Sequence, residues 1–205
     1  MREKICFGGT FNPIHHGHLI CARAAAEAVG AKTVVILPAG NPTHRGEQAD
    51  LAEAKDRLEM CRLAVAGMAG FEIDDRECRR AGATYTIDTA RELKREGWAE
   101  VVWLIGADMV NTLPRWHEAE ALIREVRFIV MARPGTRIEW DKLPAAVREL
   151  ERNVVEVPQI DISATEIRRR VGMGLSIEFF CPSGVCRYVE GRGIYRGTRG
   201  AAHRR

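Results

Sequence analysis

Short apolar runs alternate with segments of helical apolar spacing along most of the chain. Residues 4–7 form one run, ended by Gly8 and Gly9. Residues 16–29 then place Leu19, Ile20, Ala22, Ala26 and Val29 at roughly helical intervals, Gly30 supplies a stop, and residues 33–37 (TVVIL) form a second run. This predicts strand, glycine loop, helix and strand. Residues 38–48 are loop by composition, and Asp50 with Glu53 predicts a capping box opening a helix through Ala54, Leu58, Cys61 and Val65 to about Ala66. Beyond it the pattern predicts a strand over 71–74, a helix over 87–96, a central strand over 101–105 (VVWLI), a strand over 126–132, a surface helix over 142–152 and a last strand over 154–157. Strands separated by helices imply parallel pairing with right-handed crossovers, hence an α/β fold with an open sheet covered by helices on both faces. Ligands bind such sheets beyond the carboxyl ends of the strands, here residues 8–18, 38–45, 106–108 and 162–168.

Composition narrows the picture. The chain has 205 residues, 46% of them hydrophobic and 29% charged, which suits one folded domain, taken as residues 1–195. Arg196, Arg199, Arg204 and Arg205 lie in the last ten residues, and removing those four turns the formal charge of +3 into −1. The basic excess therefore belongs to a tail over 196–205 that is expected to be solvated, and a nucleic-acid partner is not expected. The start MREKICFGG has no long apolar stretch after its charges and the chain no apolar run long enough to span a bilayer, so neither secretion nor membrane insertion is expected, and a cytoplasmic location is. The six cysteines include no C-x-x-C pair and are expected to be mostly reduced core residues. A homo-oligomer is left open.

GGTFNPIHHGH (8–18) is the most informative stretch. Two glycines let the backbone approach a bulky anion, and His15 and His18, three residues apart at a helix opening, can project from one face. The helix N-terminus adds N–H donors suited to a polyphosphate, and the imidazoles would donate to oxygens whose charge grows during transfer. A metal site is the rival reading, kept as a minor option because a catalytic zinc normally takes three protein ligands. Neither G-x-x-x-x-G-K-[ST] nor G-x-G-x-x-G is present, which argues against a P-loop kinase and a dehydrogenase. ISATEIR (162–168) adds a second element: Ser163 with Glu166 reads as a capping box, and Ser163, Thr165 and Arg168 gather hydroxyls and a guanidinium at one helix start.

His15, His16, Gly17 and His18 with ISATEIR resemble the paired signature of the His-x-Gly-His nucleotidyltransferase superfamily. From Lys4 to about Tyr195 the chain is similar to the bacterial nicotinate-nucleotide adenylyltransferases, the matching stretches including PAGNPTHR, ATYTIDT, WLIGADMVNTLPRWHEAEAL and VCRYVEGRGIY. The resemblance implies a Rossmann-like sheet of nucleotidyltransferase type and transfer of AMP from ATP to nicotinate mononucleotide, with magnesium carried by the ATP phosphates and no protein metal site. It implies that His15, His18 and Arg168 stabilise the transferring phosphoryl group. Gly8, Gly9, Thr10, Phe11, Gly106, Asp108, Ile162, Ser163 and Thr165 would hold ATP, and His44, Arg45, Thr84, Tyr85, Thr86 and Trp116 the acceptor. Two positions depart from the family pattern: Arg45 stands where Lys is usual, and Ala164 where a second serine is common. The rival readings are an adenylyltransferase acting on nicotinamide mononucleotide or phosphopantetheine, and a non-catalytic nucleotide- or RNA-binding protein. The stretch Trp116 to Leu122 (W-x-x-A-x-x-L) speaks against phosphopantetheine, and the intact histidines against a non-catalytic role.

Overall fold

The computed structural model describes residues 4–42 and 50–197. His44, Arg45 and the tail from residue 198 onward lie outside the described residues. The elements run β1 (Lys4–Gly9), α1 (His16–Ala28), β2 (Thr33–Pro38), α2 (Ala54–Val65), β3 (Phe71–Ile73), α3 (Arg76–Arg79), α4 (Thr86–Arg95) and β4 (Val102–Gly106). They continue as α5 (Ala107–Val110), α6 (Ala119–Glu125), β5 (Arg127–Ala132), α7 (Ala145–Arg148), β6 (Val154–Glu156), α8 (Ala164–Gly172) and α9 (Ser183–Arg192). All six expected strands form one sheet in the order β3-β2-β1-β4-β5-β6, every pairing parallel.

Side-chain alternation explains the two covered faces. Ile5, Phe7, Val34, Ile36, Val102, Leu104 and Ile129 point to one side, where α1, α2, α8 and α9 contribute Leu19, Met60, Ile167 and Val185. Cys6, Val35, Leu37, Trp103, Ile105, Phe128 and Val130 point to the other, under Ile87 and Leu93 of α4, Val110 of α5 and Leu122 of α6. Each fully buried Ile or Leu contributes about 1.5–3 kcal/mol by leaving water. Neighbouring strands β1 and β4 are connected in opposite directions across the sheet, and the crevice between their carboxyl ends is the position such folds use for ligands.

Four local expectations are corrected. β1 does not stop at Phe7 but runs through both glycines, with Gly8 opposite Leu37 and Gly9 opposite Pro38. A Cβ on Gly8 would lie 2.5 Å from the Trp103 indole, so packing against the sheet, as much as access for an anion, demands glycine there. The capping box of Asp50 and Glu53 is absent, because α2 starts after Glu53 with no side-chain cap and Asp50 turns away to pair with Arg168. The surface helix over 142–152 is broken into 3-10 turns at Trp140–Lys142 and Glu149–Asn153 around the four residues of α7, and its Val147 and Leu150 are buried. Pro144 is the cause: it lacks an N–H and holds the preceding Leu143 extended, at φ −96° and ψ 154°. The capping box at α8 is half made, since Ser163 Oγ accepts from Glu166 N at 3.2 Å while the Glu166 carboxylate grips Arg169 at 2.7 and 2.8 Å.

Candidate active site

The loop after β1 enters α1 through a reciprocal cap. His15 is the N-cap residue, and its Nδ1 accepts from His18 N at 3.3 Å while His18 Nδ1 accepts from His15 N at 3.2 Å. Two orphan donors of the helix start are satisfied by two imidazoles in place of the usual hydroxyl and carboxylate. The rings stack with centroids 3.6 Å apart at 20°, and Phe11 packs edge-on against His18 at 5.2 Å. Accepting through Nδ1 fixes the tautomer, so each neutral ring carries its proton on Nε2. Burial, with Arg133 and His16 nearby, lowers the His15 pKa to about 4, so the ring is neutral at pH 7.

Both histidines line a cavity of about 770 Å³ at the carboxyl ends of β1 and β4. Gly8, Gly9, Thr10 and Phe11 form its β1 wall, Gly106 and Asp108 its β4 wall, and Ile162, Ser163 and Thr165 at the opening of α8 a third side. Asp108 is exposed, and its carboxylate folds back over Gly106 so closely that a Cβ there would meet Oδ1 at 2.4 Å. Thr84, Tyr85, Thr86 and Trp116 also line the cavity. Thr84 Oγ1 donates to the Asn41 carbonyl at 3.2 Å, Tyr85 stacks on His117 at 4.1 Å, and Trp116 Nε1 donates to Thr112 Oγ1 at 3.3 Å.

Arg168 stands apart from the other described candidates. It is 5% exposed and is not among the lining residues. Its Nε pairs with the Asp50 carboxylate, Nη1 donates to the Asn12 carbonyl at 3.0 Å, and Nη2 reaches Thr165 Oγ1 at 3.5 Å. These contacts brace the first loop against α8.

Several lining residues escaped the sequence reading. Arg133, Thr136 and Arg137 follow β5, and the rule that ligands gather beyond strand ends would have found them had it been applied to that strand. Asn12 sits within the first motif, but its work is long-range: Nδ2 donates to Asp50 O, and Oδ1 accepts from Ala52 N and from the Tyr195 hydroxyl at 2.7 Å. His117 carried no signal beyond its place beside Trp116. Among the described residues no three His, Cys, Asp or Glu side chains converge as a metal site, and all six cysteines are free thiols.

A six-stranded parallel sheet with a paired-imidazole helix start and a hydroxyl-bearing second helix start defines a nucleotidyltransferase-type site. Residues 6–170 match the family described as cytidylyltransferase-like. The relatives narrow it further. The chain is 42% identical to a nicotinate-nucleotide adenylyltransferase of Geobacillus thermodenitrificans over 190 residues, 92% of this chain and 84% of the relative. It is 38% identical to one of Serratia proteamaculans, covering 93% and 94% of the two chains. The chain belongs to the cytidylyltransferase-like family and, within it, to the nicotinate-nucleotide adenylyltransferases. Its fold is also that of the Plasmodium falciparum nicotinic acid mononucleotide adenylyltransferase solved with NaAD, at a TM-score of 0.75 and 17% identity over 96% of this chain and 98% of that one.

No helix among the described residues is long and apolar enough to cross a membrane.

Proposed function

We propose that this chain transfers the AMP moiety of ATP to the phosphate of nicotinate mononucleotide, releasing pyrophosphate and forming nicotinate adenine dinucleotide, a step of NAD biosynthesis. The observation that carries the reading is the reciprocal cap of His15 and His18, which fixes two Nε2–H donors in one cavity with the openings of α1 and α8. The acceptor phosphate is already an anion, so it attacks the α-phosphorus in line and needs no general base. Catalysis then consists of positioning and charge stabilisation. His15 and His18 donate to the α-phosphoryl and leaving oxygens, the backbone of Gly8 to Phe11 and the hydroxyls of Ser163 and Thr165 receive the rest of the triphosphate, and Arg168 beside Thr165, with Arg133 of the cavity lining, supplies cationic charge. Asp108 accepts from a ribose hydroxyl. Carried on the phosphates of ATP, a magnesium ion would add further neutralisation of the developing charge.

On the acceptor side, Trp116 offers a flat apolar face to the pyridine ring, and the loop Thr84, Tyr85, Thr86 surrounds the carboxylate, with N–H donors from Tyr85 and Thr86 at the start of α4. His44 and Arg45 are proposed as phosphate contacts on the basis of sequence alone. We place the enzyme in the cytoplasm, where ATP and reduced thiols coexist. Incubation with ATP, magnesium and either nicotinate or nicotinamide mononucleotide, followed by pyrophosphate release, tests the reading. A higher rate with nicotinate mononucleotide supports it, and equal or reversed rates overturn the acceptor assignment.

A further inference from the structure

Arg57 is 1% exposed, among the most deeply buried side chains of the molecule, and among the described residues no carboxylate pairs with it. A buried guanidinium normally sits against an acid, because an uncompensated charge is costly in the interior. Here backbone carbonyls take that place. Nε donates to Ala52 O at 3.0 Å, Nη1 to Thr10 O at 2.8 Å and to Ala39 O at 2.6 Å, and Nη2 to Gly40 O at 2.7 Å. The four acceptors belong to three separate segments: the loop leaving β1, the loop leaving β2 and the approach to α2.

Those segments are not ordinary connections. Thr10 and Ala39 both line the cavity, Thr10 beside the histidine loop and Ala39 toward Pro42 and Thr84. The ladder between β1 and β2 reaches its last pair at Gly9 and Pro38, followed by a single bond from Ala39 N to Gly9 O at 2.9 Å. Past that point Arg57 links the two loops. Gly40 is also pinned from the opposite side, since a Cβ there would lie 2.1 Å from the Glu77 carbonyl oxygen.

We infer that Arg57 is a positioning residue for adenylyl transfer: without touching either substrate, it fixes the distance between the ATP-side loop at Thr10 and the acceptor-side loop at Ala39 and Gly40. The inference rests on the activity proposed above. A planar guanidinium can reach four carbonyls diverging from three segments, whereas a lysine ammonium is a point charge on a flexible stem. Its loss misaligns the two substrates relative to each other and leaves the binding of each one alone largely intact. In-line attack is sensitive to that alignment, where an error of about 1 Å lowers the rate on the order of a hundredfold.

The test measures kcat for the parent chain and for Arg57→Lys, with the dissociation constants of a non-hydrolysable ATP analogue with magnesium and of nicotinate mononucleotide measured separately by calorimetry. Expected for Arg57→Lys is a loss of kcat of about tenfold to a hundredfold, with each binary constant within about threefold of the parent. Gly40→Ala, which displaces the same carbonyl from the Glu77 side, should give the same split. Parental kcat in folded Arg57→Lys overturns the inference, as does weakening of both binary affinities in step with kcat or failure of both variants to fold. A parent chain that does not turn over nicotinate mononucleotide sinks the proposed function instead.

Discussion

The two sides of the cavity are built differently. On the ATP side the first loop is tied to partners distant in sequence: Asn12 joins it to Asp50, Ala52 and Tyr195, and Arg168 joins it to Asp50 and α8. On the acceptor side the rings rest mainly on neighbours of their own segment or on each other, as Trp116 on Thr112 and Tyr85 on His117, and His117 is exposed. The difference matches what each ligand asks. A triphosphate requires donors preorganised where charge will develop, whereas a planar ring needs a surface that can settle against it.

The comparison breaks most visibly at His18. His18→Ala removes one donor and one half of the reciprocal cap, and should lower kcat by roughly two to three orders of magnitude. Steady-state turnover within a few-fold of the parent would take His18 out of the mechanism.

Acid should attack the same side next. His15 has a folded pKa of about 4 against an ordinary 6.5, so between those values the unfolded chain binds a proton that the folded ring refuses. Stability therefore rises with pH across this window and is lost on acidification, by about 3 kcal/mol once the pH falls below the folded value. Protonation would also occupy the Nδ1 that caps His18 N. Denaturant unfolding at pH 7 and at about pH 4.5 checks this against His15→Asn, which keeps an N-cap acceptor but cannot titrate. The variant should lose much of the parent's acid sensitivity, and equal slopes would contradict the assignment.

How much of this was legible in the sequence differs between the two sides as well. The strands and the helix behind GGTFNPIHHGH follow from period and glycine placement, because each is decided by residues close in the chain. The roles of Asn12, Asp50 and Arg57 were not legible. Their partners lie far away in sequence, and an arginine inside a helical pattern reads as a solvated position until the fold buries it. Asp50 looked like half of a capping box, and the competing pull of Arg168 settled its place. On the acceptor side Trp116 could be found by resemblance, but the stack of Tyr85 on His117 depends on how the loop after α5 folds back, which no local period encodes.

On the acceptor side, Trp116→Ala should raise the KM for nicotinate mononucleotide about tenfold through loss of the aromatic face, with little change in the KM for ATP. Equal losses for both substrates would mean that the two sides are not separable.

The smallest effect is expected where the acceptor side is braced from outside. Arg91 grips Glu118 at 3.1 and 2.7 Å and Glu125 at 3.2 and 3.1 Å, next in sequence to His117, but the side chain is 36% exposed and solvent screens the pairs. Glu118 holds a left-handed backbone at φ 48°, so the ion pairs help to keep a turn that the backbone alone disfavours. Arg91→Ala should therefore lower Tm slightly and change the KM for nicotinate mononucleotide by less than about threefold, as for exposed pairs elsewhere. At about 0.5 M salt the parent and the variant should converge, because the Debye length then falls to the length of the pair itself. A loss of activity comparable to that of His18→Ala would show that the acceptor wall is as rigidly prepared as the ATP wall, and that the contrast between them is one of appearance only.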